Sequence, residues 1–367
     1  VLLERARTWR ETGLDLLWES NLEAAMTEFE NSRAVLIELH QRDRRSPEAL
    51  FELGQAEYYV GEVYVRRGQI DEAQWHWYRY GVLTRRLVNA DPYNPTYVME
   101  LAYTLMNIGA VEQQKLLPDF ASSLERINQA IQFNRIALGL APDNPVYQRA
   151  LTTMLEWKAD AHGGLCELGE ALEVRQQTVK RRRDILRSEP DDPNDRKDLA
   201  FTLNGLANVQ EDIGLTGLAR TSLQEAVDIL RSLSDAEPDH VRKAWEALYR
   251  ETQLAHLIAR DGDTERAAEI MLNHAPRIEE LATAASRADT FIAIEAALFD
   301  LDLARVHFER QQIARGEERL RNAAARLAQA VVEHPEYRSA LDALVHAYFE
   351  YWEHFESSPG TEFDRLV

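Results

Sequence analysis

Apolar positions recur along the chain with helical spacing, and the pattern repeats. The stretch LAYTLMNIGAV begins at Leu101 and LAFTLNGLANV at Leu199. They agree at Leu, Ala, Thr, Leu and Val, with Tyr103 opposite Phe201 and Ile108 opposite Leu206, at a distance of 98 residues. Prolines explain that distance. Pro92, Pro142, Pro190 and Pro238 stand 50, 48 and 48 residues apart, and Pro335 follows 97 later. The offset of 98 is therefore two periods of about 49, which is the signature of a repeat array.

Two ladders of small residues lie on this period. One runs Gly13, Gly61, Gly109, Ala159, Ala207, Ala255, Ala304; the other runs Ala25, Ala73, Ala121, Ala171, Ala219, Ala267, Gly316, each 12 residues after its partner. Small residues at a fixed spacing let two antiparallel helices approach closely. Short breaks separate the ladders: RRGQ at Arg66, DIGLTG at Asp212, RDGD at Arg260. Gly suits a helix end and Asp or Ser the next start. Pro95, Pro145 and Pro193 suit a first helical turn, where the missing N–H costs little. Each unit is predicted to be a hairpin of two helices of about 20 residues, each about 30 Å long. The units are predicted at 1–46, 47–93, 94–143, 144–191, 192–238, 239–286 and 287–334, with a final helix at 335–357 and a flexible tail at 358–367.

A small residue, an Ala 12 further on and a large residue four beyond that resemble the tetratricopeptide (TPR) repeat. Ala25 with Phe29 and Ala73 with Trp77 match its A-x3-F element; Val60, Gly61 and Tyr64 match L-G-x2-Y with Val for Leu. Later units keep the small residues and lose the aromatics: Arg175 follows Ala171, and Leu223 follows Ala219. The period also exceeds the family's usual length of about 34, which reads as lengthened helices. The chain is similar to long-period TPR arrays of bacterial multidomain signalling proteins. The resemblance implies an all-α, right-handed superhelical solenoid of antiparallel hairpins.

In such arrays the first helix of each unit lines a concave groove, at offsets −6, −3, −2 and +1 from the first-ladder residue. Carried over, the resemblance implies a peptide-binding set of Tyr58, Tyr59, Tyr103, Asn107, Trp157, Asn204, Asn208, Tyr249, Gln253 and His256. Amides can bond an extended backbone and aromatics supply stiff contact area. Asn107, Asn204 and Asn208 are expected to face solvent. The cationic clamp with which some TPR domains grip a terminal carboxylate is missing around Asn107, where Tyr58, Glu62, Thr153 and Trp157 stand instead.

Composition narrows the partner. The formal net charge is −20 over 367 residues. That argues against nucleic acid and against an anionic membrane surface. With Glu62, Glu156, Asp160, Glu211 and Asp212 at the groove's edge, it favours a basic or neutral protein segment. No apolar run is long enough to span a bilayer, and the one cysteine, Cys166, permits no intramolecular disulfide. The chain begins inside a helix without a methionine and reads as part of a longer, cytoplasmic protein, or a periplasmic one if an upstream anchor exists.

No nucleotide-binding loop, close metal-ligand pair or catalytic constellation is visible, and no cofactor is expected. His346 and His354 read as one face of a capping helix. GGLCELG, from Gly163, reads as a loosened hinge with a buried thiol. KRRRDILR, from Lys180, reads as a solvated helix face paired with acids; docking of an acidic partner is the alternative. The sequence therefore points to a non-catalytic interaction scaffold or sensor. It leaves open self-association of a larger protein, and a small-molecule or enzymatic site inside the solenoid.

Overall fold

The computed structural model describes residues 1–18, 21–115, 117–284, 290–333 and 344–345. Among them are fourteen α-helices and no strand. Hairpins are formed by α1 Leu2–Trp18 and α2 Leu22–Arg42; α3 Pro47–Arg66 and α4 Ile70–Ala90; α5 Pro95–Gln114 and α6 Phe120–Leu140; α7 Pro145–Gly164 and α8 Leu168–Leu186; α11 Val241–Arg260 and α12 Thr264–Ala284; and α13 Thr290–Glu309 and α14 Ile313–Glu333, while α9 Pro193–Asp212 ends one compact unit and α10 Thr216–Ala236 opens the next. The helix and tail expected at 335–357 and 358–367, with His346 and His354, lie outside the described residues apart from 344 and 345.

The chain divides into two compact units, Val1–Leu215 and Thr216–Val367. Within the first, every helix from α1 to α9 packs on its neighbours in sequence, and the first helices also meet directly, α1 on α3 and α5 on α7. Within the second, α10 to α14 pack in the same succession, with α11 on α13.

Local chemistry fixes where helices begin. Ser46, Asn94, Asn144 and Asp192 each precede a proline at the helix start and accept backbone N–H bonds from the first turn. The side chain satisfies otherwise orphaned donors, and the proline has no N–H to satisfy. The turn inside a hairpin needs a left-handed residue: φ is 72° at Gly68, 79° at Gly214 and 97° at Gly262. Cys166 takes the same turn position with φ 60°. Its thiol is exposed, not buried as expected, because the turn projects outward. Gly163 and Gly164 belong to α7 itself.

The ladders are where helices touch. All first-ladder residues are buried. A Cβ on Gly13 would stand 2.6 Å from the Phe29 ring, on Gly61 2.5 Å from Trp77 Nε1, and on Gly109 2.8 Å from Ile127. The large residue always lies on the partner helix of the same hairpin. The second ladder is buried as well, with one correction. Ala121 is exposed, and Ser123 takes its place at 0% exposure. The connection between α5 and α6 is longer than the three-residue turns elsewhere, so the ladder resumes two residues later. Gln113 Nε2 donates to Ser123 Oγ at 2.8 Å and to the Trp157 carbonyl at 2.9 Å, which satisfies the one hydroxyl on the ladder.

Candidate binding face of the first helices

A helix turns about 100° per residue. Offsets −6 and +1 therefore lie within about 20° of each other, at the centre of the exposed stripe, whereas −2 and −3 lie on its two flanks, about 100° apart. This geometry sorts the predicted residues. At −2, the flank turned toward the preceding hairpin, Tyr59 stacks on Phe29 of α2 at 5.2 Å. At −3, Tyr58 meets the rings of Tyr59, Trp77 and Tyr80 at 4.9, 6.4 and 5.8 Å. Both tyrosines remain half-buried, as do Tyr103, Trp157 and Asn204, and Asn208 is exposed. Asn107 departs from expectation. As a flank residue of α5 it is buried at 8% exposure, and its Nδ2 has no partner. Asn204 also keeps an amide atom, Oδ1, buried and unpartnered.

Polar links tie successive first helices together in the first unit. Arg7 and Arg10 of α1 bond Glu52 of α3. Gln55 of α3 donates to Glu100 of α5 at 2.6 Å. Arg149 of α7 grips Asp195 of α9 through both oxygens, at 2.8 and 2.6 Å. That bond holds the Asp195 carboxyl below its usual range, against the opposing effect of burial. Glu189, Asp192 and Asp195 bring carboxylate oxygens within 4.8 Å of one another. Their charge is already met by Arg149, which also reaches Glu189 at 3.6 Å, and Asp192 is spent as an N-cap.

The groove-edge acids are largely paired as well. Glu62 holds Arg66 at 3.0 Å, and Asp160 holds Arg175. Glu156 bonds Thr202 and faces Arg182 at 3.3 Å. Arg182, from the basic run, is thus an interior residue at 3% exposure, also bonded to Asp198 at 2.6 Å. The run is not a single surface patch: Lys180 and Arg183 are exposed while Arg182 is enclosed.

In the second unit Tyr249, Gln253 and His256 line one cavity of about 280 Å³. Thr252 and Leu298, Leu301, Asp302 and Arg305 of α13 line it too. His256 Nε2 lies 3.2 Å from Asp302 Oδ2, and Arg305 donates to Asp302 Oδ1 at 3.2 Å. Burial, and then the charge of Glu295, push the Tyr249 phenol up to about 12. The four α13 residues were absent from the predicted set. They occupy the same offsets from Ala304 that gave the other lining residues, so the register carried one unit further identifies them.

A second recurrence was also missed. Nine residues before each first-ladder position stand Glu4, Glu52, Glu100, Asp198, Glu246 and Glu295, with Ala150 the exception. This offset lies about 60° from −6, on the −2 flank.

No protein-family profile and no curated protein matches the chain. Solved structures do. The crystal structure of apo RapI aligns over 89% of this chain and 99% of its own, with 13% identity and a TM-score of 0.52. A TPR protein of Thermus thermophilus covers 66% of this chain and 99% of its own at 17% identity and a TM-score of 0.35. A tetratricopeptide repeat protein from Parabacteroides merdae covers 94% and 99% at 13% identity and a TM-score of 0.41. The repeated hairpin, the two small-residue ladders and the likeness to RapI make this chain a TPR-like α-solenoid. Among the described residues no helix is long and apolar enough to cross a membrane.

Proposed function

We propose that the chain is a non-catalytic protein-interaction module that binds an extended segment of a partner protein along the first-helix face, within a larger signalling protein. The observation that carries this reading is the repetition of one kind of surface. In the first unit, α3, α5, α7 and α9 present half-buried rings (Tyr58, Tyr59, Tyr103, Trp157) and amides (Asn204, Asn208) at shared register positions. Adjacent helices in such packings lie about 8–10 Å apart, and an extended chain advances about 3.3 Å per residue. A segment crossing four helices would therefore meet a new helix about every third residue. The exposed amide of Asn208 can both donate to and accept from a peptide backbone. In the second unit the cavity at Tyr249, Gln253 and His256 has about the volume of one large side chain, smaller than most small-molecule sites.

The test is selection of random peptides from a displayed library against the chain, with affinities of enriched peptides measured by fluorescence anisotropy. Asn208→Ala and Trp157→Ala are expected to weaken binding at least about tenfold, with Asn208→Ala melting within about 0.5 kcal/mol of wild type. No enrichment over an unrelated α-solenoid, or indifference to both substitutions, would overturn the reading.

A further inference from the structure

The recurring carboxylates nine residues before the ladder do not all have the same surroundings. Glu52 is held by Arg7 and Arg10. Asp198 is held by Arg182 at 2.6 Å. The deeply buried acids of the first unit also have cations: Glu57 meets Arg79 at 3.0 Å and Arg33 at 3.5 Å, with His76 Nδ1 2.7 Å away, Glu112 meets Lys115 at 2.8 Å, and Asp195 meets Arg149. Glu100, which is half-buried, is different. Its Oε2 accepts from the Tyr80 hydroxyl and from Gln55 Nε2, and among the described residues it forms no ion pair. Arg10 is close enough for its charge to be felt, but it is committed to Glu52.

Burying a carboxylate without a counter-charge is costly, and two neutral hydrogen bonds to one oxygen compensate it only in part. Here burial raises the Glu100 carboxyl above its ordinary value, against the hydrogen bonds from Tyr80 and Gln55. The surroundings suit a cation. Glu100, Tyr103 and Asn107 share one face of α5 at helical spacing. Tyr58, Tyr59 and Tyr103 all lie within reach of the Glu100 charge. Burial first, and then that charge, push the Tyr103 phenol up to about 12. All three rings are half-buried, and Tyr58 and Tyr59 meet edge to face at 71°. Aromatic faces beside a carboxylate attract guanidinium and ammonium groups through the ring quadrupole and through charge-assisted hydrogen bonds.

We propose that Glu100, with Tyr58, Tyr59 and Tyr103, forms a subsite for a cationic side chain, arginine foremost, of the segment bound on the first-helix face. This rests on the peptide-binding reading and gives that segment a required basic anchor. The ligand supplies the counter-charge that Glu52 and Asp198 obtain from within the fold. Tyr80 and Gln55 are positioning residues, holding one oxygen while the other is left for the ligand.

The probes are N-acetyl-arginine methylamide and its uncharged isostere N-acetyl-citrulline methylamide, titrated at pH 7.5 into the full chain labelled with ¹³C on tyrosine rings. The arginine probe is expected to shift the Tyr58, Tyr59 and Tyr103 signals and to bind about tenfold more tightly than citrulline, the worth of one charge-assisted hydrogen bond. Glu100→Gln, which keeps the shape and the bonds to Tyr80 and Gln55, is expected to erase the preference. Should that variant fail to fold, Tyr103→Leu serves in its place and is also expected to lose the preference. Equal binding of the two probes, or a preference that survives these substitutions, overturns the proposal. The probes are single residues, so the outcome is independent of the library selection. Peptides that bind without a basic anchor remove only this subsite, and an arginine preference without peptide enrichment removes only the extended-segment reading.

Discussion

At the scale of residues, size complementarity across each hairpin is the repeated decision. Gly faces Phe29, Trp77 and Ile127. Where the ladder residue is Ala, the residue sixteen on is Arg175, Leu223, Met271 or Leu320. The aromatics of the family pattern are thus confined to hairpins whose ladder residue is glycine. Gly61→Ala is expected to destabilise by about 1–3 kcal/mol through overpacking against Trp77. Trp77→Leu should relieve part of that cost, giving a positive coupling in a double-mutant cycle measured by urea unfolding; strict additivity would contradict the contact. Asp195 supports a second prediction. Arg149 holds its carboxyl below the ordinary value in the folded chain. The unfolded chain then binds more protons on acidification, so this contribution is present above about pH 4, the unfolded value, and lost as pH falls through the lower folded one. The stability gap between wild type and Asp195→Asn should narrow as pH falls from about 5 to 2.5. A gap independent of pH would mean that the bond contributes through packing alone.

At the scale of elements, the hairpin is legible in sequence because it is written redundantly. The small residues, the capping residue before proline and the glycine turn mark the same boundaries. The reading fails where one mark is insufficient. In the third hairpin a longer connection separates α5 from α6, and the residue 12 after Gly109 is still an alanine, Ala121. Alanine is common in helices for reasons of propensity, so its presence there carried no positional information. The contact residue is Ser123. Ala121→Leu should accordingly change stability by no more than about 0.5 kcal/mol, whereas Ala73→Leu, at 0% exposure, should cost about 1–3 kcal/mol or more. Calorimetric melting of the two variants separates them, and equal losses would restore the unbroken ladder.

At the scale of the whole molecule, the binding face was only partly legible. Register identifies which residues approach it, since that depends on helical angle alone. It does not say which flank residue is covered by a neighbouring hairpin. Asn107 and Tyr59 share an offset, yet one is buried and the other half-buried. Nor can sequence tell which carboxylates have found cations, because the partners of Glu52, Glu156 and Asp195 lie 26 to 46 residues away. Those pairs also decide how salt acts. Raising NaCl from 50 to 500 mM shortens the screening length from about 14 to about 4 Å. Contacts such as Arg149–Asp195 at 2.6 Å and Arg231–Glu251 at 2.7 Å lie inside the shorter length and lose little. Repulsion within a net charge of −20 acts over longer distances and is largely removed. The melting temperature is therefore expected to rise with salt near pH 7.5, and to rise much less near the isoelectric point of about 5.0. Affinity for an arginine-bearing peptide should fall several-fold over the same range, because the long-range attraction that assists encounter is screened while the contact at Glu100 is not. Opposite signs for folding and binding distinguish this account from a general salting-out effect, which would strengthen burial in both. A melting temperature that falls with salt would mean that the surface ion pairs outweigh the net repulsion.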